Sequence, residues 1–216
     1  MTSVRGVVLV AHGGQSVSTQ PTSAYQLAVL RMIPLAAAIR HAVRGHKIVV
    51  RRNRFEVRGW NDSDASPVRD LTRLLDDLRD EFGPVPVVLV GHSMGARAAL
   101  RAAGHPSVTA AAGLAPWLPP GEPVDQLAGR RILLAHGTAD AVTRPADTWA
   151  YAERARALTS VTAIEVRTGE HTMLWRAPLW HGFAAAFTRL SLGLPAPSGS
   201  AAAAVSDARQ TQRTVI

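Results

Sequence analysis

The chain has 216 residues, 47% of them hydrophobic, and a formal net charge of +8, which fits one globular domain with a sizeable core. It contains no cysteine, which excludes disulfides, thiolate metal sites and a cysteine nucleophile. Aromatic residues make up only 5% of the chain and the arginines are scattered. The chain therefore lacks the basic, aromatic-rich surface stripe that is typical of a protein that binds nucleic acid, and no nucleic-acid partner is expected.

No apolar run approaches the roughly 20 residues of a membrane span. The short apolar run near the N-terminus lacks a following small-residue cleavage site and is shorter than the apolar part of a signal peptide. We therefore expect no membrane partner and a cytoplasmic location. The sequence leaves the oligomeric state open.

Strand-like and helix-like segments alternate along the chain. The pattern predicts a first strand at residues 7–10 and a helix at about residues 24–43, which Pro34 is expected to kink or split. A second strand at residues 47–50 precedes a helix at residues 66–82, which begins with Ser66 and Pro67. Further strands are predicted at residues 85–90, 110–114, 132–135 and 162–166, and further helices at residues 94–103, 145–158 and 178–192.

Continuous apolar strands that alternate with helices are typical of a parallel sheet covered on both faces. We therefore predict the α/β class, with about six mostly parallel strands and helices on both sides of the sheet. Residues 1–194 are predicted to form one domain. Residues 195–216 are rich in Pro, Ala, Ser and Gly without periodicity, which predicts a disordered C-terminal tail.

The sequence Gly-His-Ser-Met-Gly at residues 91–95 stands between a predicted buried strand and an Ala-rich helix. A Gly-x-Ser-x-Gly turn in that setting is typical of a nucleophile elbow, which exposes the serine hydroxyl above the sheet. Side chains at positions 91 and 95 would collide with the facing backbone, so glycine serves at both. Ser93 is the candidate nucleophile.

Three further motifs follow other predicted strands: His-Gly-Gly at residues 12–14, His-Gly-Thr-Ala-Asp at residues 136–140 and Gly-Glu-His at residues 169–171. With the elbow, they make the chain resemble a small serine hydrolase of the α/β-hydrolase superfamily over about residues 5–192. The resemblance implies a catalytic triad of Ser93, Asp140 and His171. His171 would move the serine proton, and Asp140 would orient the imidazole.

Other acids and histidines compete for these roles. Asp125 and Asp147 are rivals of Asp140, but one precedes a strand and the other lies inside a helix. His136 and His181 are rivals of His171, and both are better interpreted as structural residues. His12 and His92 likewise match structural positions of the family motifs.

The resemblance implies an oxyanion hole made of backbone N–H groups. Met94 would supply one donor, and the loop after the first strand would supply the other at Gly14, with Gln15 as the alternative. Trp60 and Trp117 follow strand ends on the same edge and are candidates for the substrate pocket, although ordinary packing explains them equally well.

No metal-ligand spacing and no dinucleotide fingerprint occur, so no metal and no cofactor is expected. Compared with larger members, the chain lacks the N-terminal hairpin. Residues 115–131 are short and proline-rich where those members have a helical lid.

We therefore predict a serine hydrolase that cleaves a carboxylic ester of a small soluble substrate through an acyl-enzyme on Ser93. A thioesterase, or an acyltransferase or cyclase, would use the same triad. A non-catalytic ligand-binding protein on the same fold is the alternative from another functional class.

Overall fold

A computed structural model describes residues 3–207 and 214–216, and its strands form one seven-stranded parallel sheet. The strands are β1 (Gly6–Ala11), β2 (Ile48–Arg52), β3 (Val87–His92), β4 (Val108–Leu114), β5 (Arg131–Gly137), β6 (Ser160–Val166) and β7 (Thr214–Val215). The helices are α1 (Leu27–Leu30), α2 (Met32–Ala42), α3 (Ser66–Phe82), α4 (Met94–Ala102), α5 (Pro145–Arg156), α6 (Ala177–Ser191) and α7 (Ser200–Asp207).

The sheet has the strand order β2-β1-β3-β4-β5-β6-β7, and every neighbouring pair is parallel. The strands β1 and β3 are buried along their whole length, because helices cover both faces of a parallel sheet. The predicted α/β class is confirmed, and the short β7 raises the predicted strand number from six to seven.

Two apolar cores lie on opposite faces of the sheet. One packs side chains of α3, α4 and α5 against the sheet, and the other packs side chains of α2, α6 and α7. The connections after β1 and β3 therefore leave toward opposite faces, so the order of the chain reverses between these two neighbouring strands. In parallel sheets this switch point is where ligands bind.

The predicted helix at residues 24–43 is two helices, but the break lies at Arg31 and not at Pro34. Pro34 is in the first turn of α2, where backbone N–H groups have no intrahelical acceptor, so the missing proline N–H does not interrupt the helix.

The structure corrects the prediction of a disordered tail for the described part of residues 195–216. The helix α7 packs against α6, with Ala202, Ala204 and Val205 buried in the second core. The strand β7 pairs with the edge of β6. Composition indicated disorder because residues 201–205 are a uniform run of small apolar side chains, in which no helical period of apolar and polar residues can be seen. Residues 208–213 of the predicted tail lie outside the described residues.

Deleting residues 195–216 is therefore expected to destabilise the protein. The deletion exposes the part of the second core that α7 covers, which corresponds to about 3 kcal/mol of lost apolar burial. For a chain of this size the melting temperature should fall by roughly 10 °C. Calorimetry of the truncated and full-length proteins measures this. An unchanged melting temperature would show that α7 contributes nothing to the stability of the fold.

A matched pair of point variants separates burial from helix propensity. Val205→Ser changes a side chain that is 3% exposed, whereas Ala203→Ser changes an exposed side chain of the same helix. Only the first is expected to lower the melting temperature, since only Val205 is packed in the second core.

Candidate active site

The turn between β3 and α4 holds Ser93 in a backbone conformation that non-glycine residues rarely adopt, with φ 55° and ψ −121°. A side-chain carbon at Gly95 would lie 2.7 Å from the Ala11 carbonyl oxygen and closer still to that of His12. One at Gly91 would lie 2.5 Å from the Ala96 nitrogen. These close approaches explain both glycines of the motif and are what a strained nucleophile elbow requires.

The structure brings the three predicted triad residues together although 78 residues of chain separate Ser93 from His171. The Nε2 atom of His171 lies 3.0 Å from Ser93 Oγ, and its Nδ1 atom lies 2.8 Å from Asp140 Oδ2. Ser93 follows β3, Asp140 follows β5, and His171 follows β6, so parallel strands deliver all three to one edge. The arrangement can pass a proton from the serine hydroxyl to the imidazole.

The Asp140 carboxylate is fully buried and has several hydrogen-bond partners besides His171. His136 Nε2 lies 3.0 Å from Oδ2, while the backbone amides of Val142 and Thr143 donate to Oδ1. Burial alone would raise the pKa of Asp140, but the hydrogen bonds from His136, His171 and these amides outweigh it and hold the pKa well below its usual range. The carboxylate is therefore ionised at neutral pH.

Two residues that support Asp140 have roles that the sequence did not indicate. Thr143 Oγ1 lies 3.0 Å from Asp140 Oδ2 and 3.2 Å from His171 Nδ1. His136 fills the space behind the carboxylate and is itself held by Thr148 Oγ1 at 2.6 Å from its Nδ1 atom. In the sequence, both residues are merely close to Asp140. A hydroxyl residue three positions after an acidic residue is common in loops, so this proximity did not indicate a role.

His92 links the elbow to the loop that carries His171. Its Nε2 atom lies 2.8 Å from the His171 carbonyl oxygen, and its Nδ1 atom is buried without a hydrogen-bond partner among the described residues. Burial, reinforced by the neighbouring His171, lowers the pKa of His92 to about 3. The ring is therefore neutral, so Nε2 donates to the carbonyl and adds no charge that would oppose a proton on His171.

The loop after β1 lies directly against the elbow. A side-chain carbon at Gly13 would lie 3.2 Å from Ser93 Cβ, and one at Gly14 would lie 2.6 Å from Met94 Sδ. Met94 begins α4, where the first backbone N–H groups have no intrahelical acceptor. The Gln15 N–H donates to the Arg58 carbonyl at 2.8 Å, so this alternative donor is already used.

The two tryptophans predicted as candidates for the substrate pocket, Trp60 and Trp117, pack against each other and against Arg97. Trp60 is only 2% exposed and belongs to the first core, which favours the packing alternative over a place in the pocket wall. Trp117 is half-buried, and its ring lies 6.1 Å from that of Trp60. The Arg97 guanidinium stacks on both rings and pairs with the buried Glu122. This pair anchors the proline-rich segment to α4.

The rivals considered for the triad lie elsewhere. Asp125 is in a one-turn 3-10 helix, Asp147 is in the first turn of α5 near Arg144, and His181 is in α6. His12 is buried, with its Nδ1 atom 2.6 Å from the Gly13 oxygen and its Nε2 atom accepting the Phe55 N–H. It shapes the loop after β1 and does not face the serine hydroxyl.

In residues 3–207 and 214–216, no group of three or more His, Cys, Asp or Glu side chains could hold a metal ion. No helix within these ranges is both long and apolar enough to cross a bilayer.

Comparison with protein families gives one match that covers most of the sequence. The profile described as "Alpha/beta hydrolase family" matches residues 7–213. The chain belongs to the alpha/beta hydrolase family. A comparison of this hydrolase with curated protein sequences found no match.

Solved structures share the fold of this alpha/beta hydrolase at low sequence identity. A serine hydrolase homologue from Coxiella burnetii is 15% identical, with a TM-score of 0.64 and coverage of 85% of each chain. A lidless serine hydrolase from Xanthomonas campestris is 18% identical, with a TM-score of 0.60 and coverage of 91% of this chain and 86% of the other. A monoacylglycerol lipase from Paleococcus ferrophilus is 15% identical, with a TM-score of 0.60 and coverage of 88% of this chain and 96% of the other.

Proposed function

We propose that this hydrolase cleaves carboxylic esters through an acyl-enzyme on Ser93. The observation that carries the proposal is the continuous hydrogen-bonded series from Ser93 Oγ through His171 to Asp140, joined to the strained backbone of the elbow. A serine that is merely a turn residue needs neither the imidazole at 3.0 Å nor the positive φ.

In the first half of the reaction, His171 Nε2 takes the Ser93 proton while Oγ attacks the ester carbonyl carbon. The carbonyl oxygen becomes negatively charged and accepts hydrogen bonds from the Met94 N–H and the Gly14 N–H. The tetrahedral intermediate then collapses, the bond to the alcohol breaks, and the protonated His171 returns the proton to the departing alkoxide oxygen. The acyl group remains on Ser93.

In the second half, water replaces the alcohol. His171 takes a proton from the water as its oxygen attacks the acyl-enzyme, and it then protonates Ser93 as the carboxylic acid leaves. Asp140 stays ionised throughout, because its hydrogen bonds keep its pKa low, and it holds the Nδ1 proton of His171. The neutral His92 helps to fix the His171 backbone.

Labelling with a fluorophosphonate probe separates this enzyme from a ligand-binding protein of the same fold. We expect one probe to attach per chain and peptide mass spectrometry to find it on Ser93, because only an activated serine is phosphonylated. Absence of labelling would favour the non-catalytic alternative and contradict the proposal.

A panel of matched nitrophenyl esters and thioesters then separates the two enzymatic alternatives. We expect kcat/KM for the acetyl and butyryl esters to exceed the thioester values at least tenfold. A reversed preference, or faster turnover when an alcohol acceptor is added, would instead favour a thioesterase or an acyltransferase on the same Ser93.

A further inference from the structure

The most exposed large apolar side chains of this hydrolase are concentrated at one edge of the sheet. Within the described residues, six such side chains are at least 62% exposed. They are Val17, Tyr25, Leu27, Val142, Leu174 and Trp175. All six lie in the connections that follow β1, β5 and β6, at the same carboxyl edge as Ser93. We call this set the apolar edge.

The three connections of the apolar edge are neighbours in space and do not merely share an edge. Both α2 and α6 begin at this edge and pack against each other. Burial lowers the pKa of Arg31, before α2, and the attraction of the Glu170 carboxylate opposes that effect, which indicates that the connections after β1 and β6 are near each other. The connections after β5 and β6 meet where Asp140 contacts His171.

The turn that carries Leu174 and Trp175 is ordered by its own contacts. Met173 is buried in the second core, and the Glu170 carboxylate accepts the Trp175 N–H at 2.7 Å. The anchoring of Met173 leaves the next two side chains pointing away from the core, with Trp175 69% exposed. A monomeric protein rarely shows several large apolar side chains together unless they contact a partner surface.

The charge of the same connections is positive. Residues 12–31, 138–144 and 167–176 contain four arginines, Arg31, Arg144, Arg167 and Arg176. Their acidic residues are Asp140, which is buried within the triad, and Glu170, whose oxygens accept hydrogen bonds from Thr172 and Trp175. Asp147 lies just beyond these ranges, 3.9 Å from Arg144. Even when Asp147 is counted, the arginines outnumber the acidic residues, in keeping with the net charge of +8 of the whole chain.

We propose that the apolar edge docks reversibly on the surface of a membrane that contains anionic lipid. Trp, Tyr and Leu side chains with adjacent arginines are the combination that enters the interfacial layer of such a surface. Projecting side chains from three separate connections suit a deformable lipid surface, whereas a protein partner needs a complementary shape. Docking of this kind requires no membrane-spanning stretch, so the lack of one in the sequence does not exclude it.

Vesicle sedimentation tests the proposal without depending on the chemistry of Ser93, since the protein used is the full chain carrying Ser93→Ala. Vesicles of equal phosphatidylcholine and phosphatidylglycerol are expected to carry the protein into the pellet, and pure phosphatidylcholine at least tenfold less. Raising the salt to 0.5 M should weaken the binding, because the charge contribution is screened. Failure to bind the anionic vesicles would overturn the proposal.

Matched variants assign the binding to the apolar edge. Leu27→Ser combined with Trp175→Ser should lower the partition coefficient at least tenfold. Leu158→Ser, an exposed leucine in another part of the fold, should change it less than twofold. Equal binding by the double variant and this control would overturn the proposal. A concentration-dependent dimer in sedimentation velocity that only the double variant abolishes, without vesicle binding, would assign the apolar edge to a second copy and overturn it too.

Discussion

Replacing Ser93 by alanine is expected to lower kcat for ester hydrolysis by about 10⁴-fold or more and to abolish fluorophosphonate labelling, while the fold remains intact. The change removes the one atom that would bond to the acyl group. It keeps the β-carbon, so the strained backbone of the elbow is subject to the same restrictions as before. The initial rate of nitrophenyl butyrate hydrolysis measures the loss of activity. Calorimetry shows whether the variant keeps the melting temperature of the wild type.

Two comparisons make this result specific. Ser198→Ala removes a hydroxyl from an exposed serine outside the site and should leave kcat unchanged. His171→Ala should reduce kcat nearly as far as Ser93→Ala, and the double variant should fall little further, because residues of one catalytic unit are not additive. A Ser93→Ala enzyme with the wild-type rate would refute the assignment of the nucleophile.

Replacing Gly95 by valine is expected to destabilise the protein by about 3 kcal/mol or more and to abolish activity, although Gly95 has no side-chain atom at the site. The first added carbon would already lie 2.7 Å from the Ala11 carbonyl oxygen and closer to that of His12. These are backbone atoms of β1 and its following loop, so the loop must move away from the elbow. The backbone N–H groups of Met94 and Gly14, which we propose as the oxyanion donors, would then move apart.

Denaturant unfolding and the labelling rate measure the two consequences separately. Gly104→Val is the matched control, because the nearest atom to its added carbon is Gln126 Cβ at 3.2 Å, which belongs to a half-buried side chain and not to the backbone. It should cost much less stability and preserve labelling. A Gly95→Val protein with wild-type stability and labelling rate would mean that the close approach of β1 to the elbow is not needed.

Local patterns in the sequence account for most helices and strands and for the choice of Ser93 as candidate nucleophile. Strands such as β3 are continuous apolar runs. Gly91 and Gly95 on either side of Ser93 indicate a tight turn that joins a strand directly to a helix. These signals are readable because the period of apolar residues and the steric needs of a turn depend on neighbours within a few positions. Most predicted boundaries are therefore close to the observed ones, whereas no local signal marked the break at Arg31.

The sequence by itself thus determined the α/β architecture, the elbow and three candidate triad residues at strand ends. Only the tertiary structure decided that His136 shares the Asp140 carboxylate, that His92 holds the His171 backbone and that the Gln15 amide is already used. It also decided that Trp60 and one face of α7 are buried. Apart from His136 with Asp140, these contacts join distant parts of the chain, and each depends on how the connections fold over the sheet. No local pattern of residues encodes that geometry.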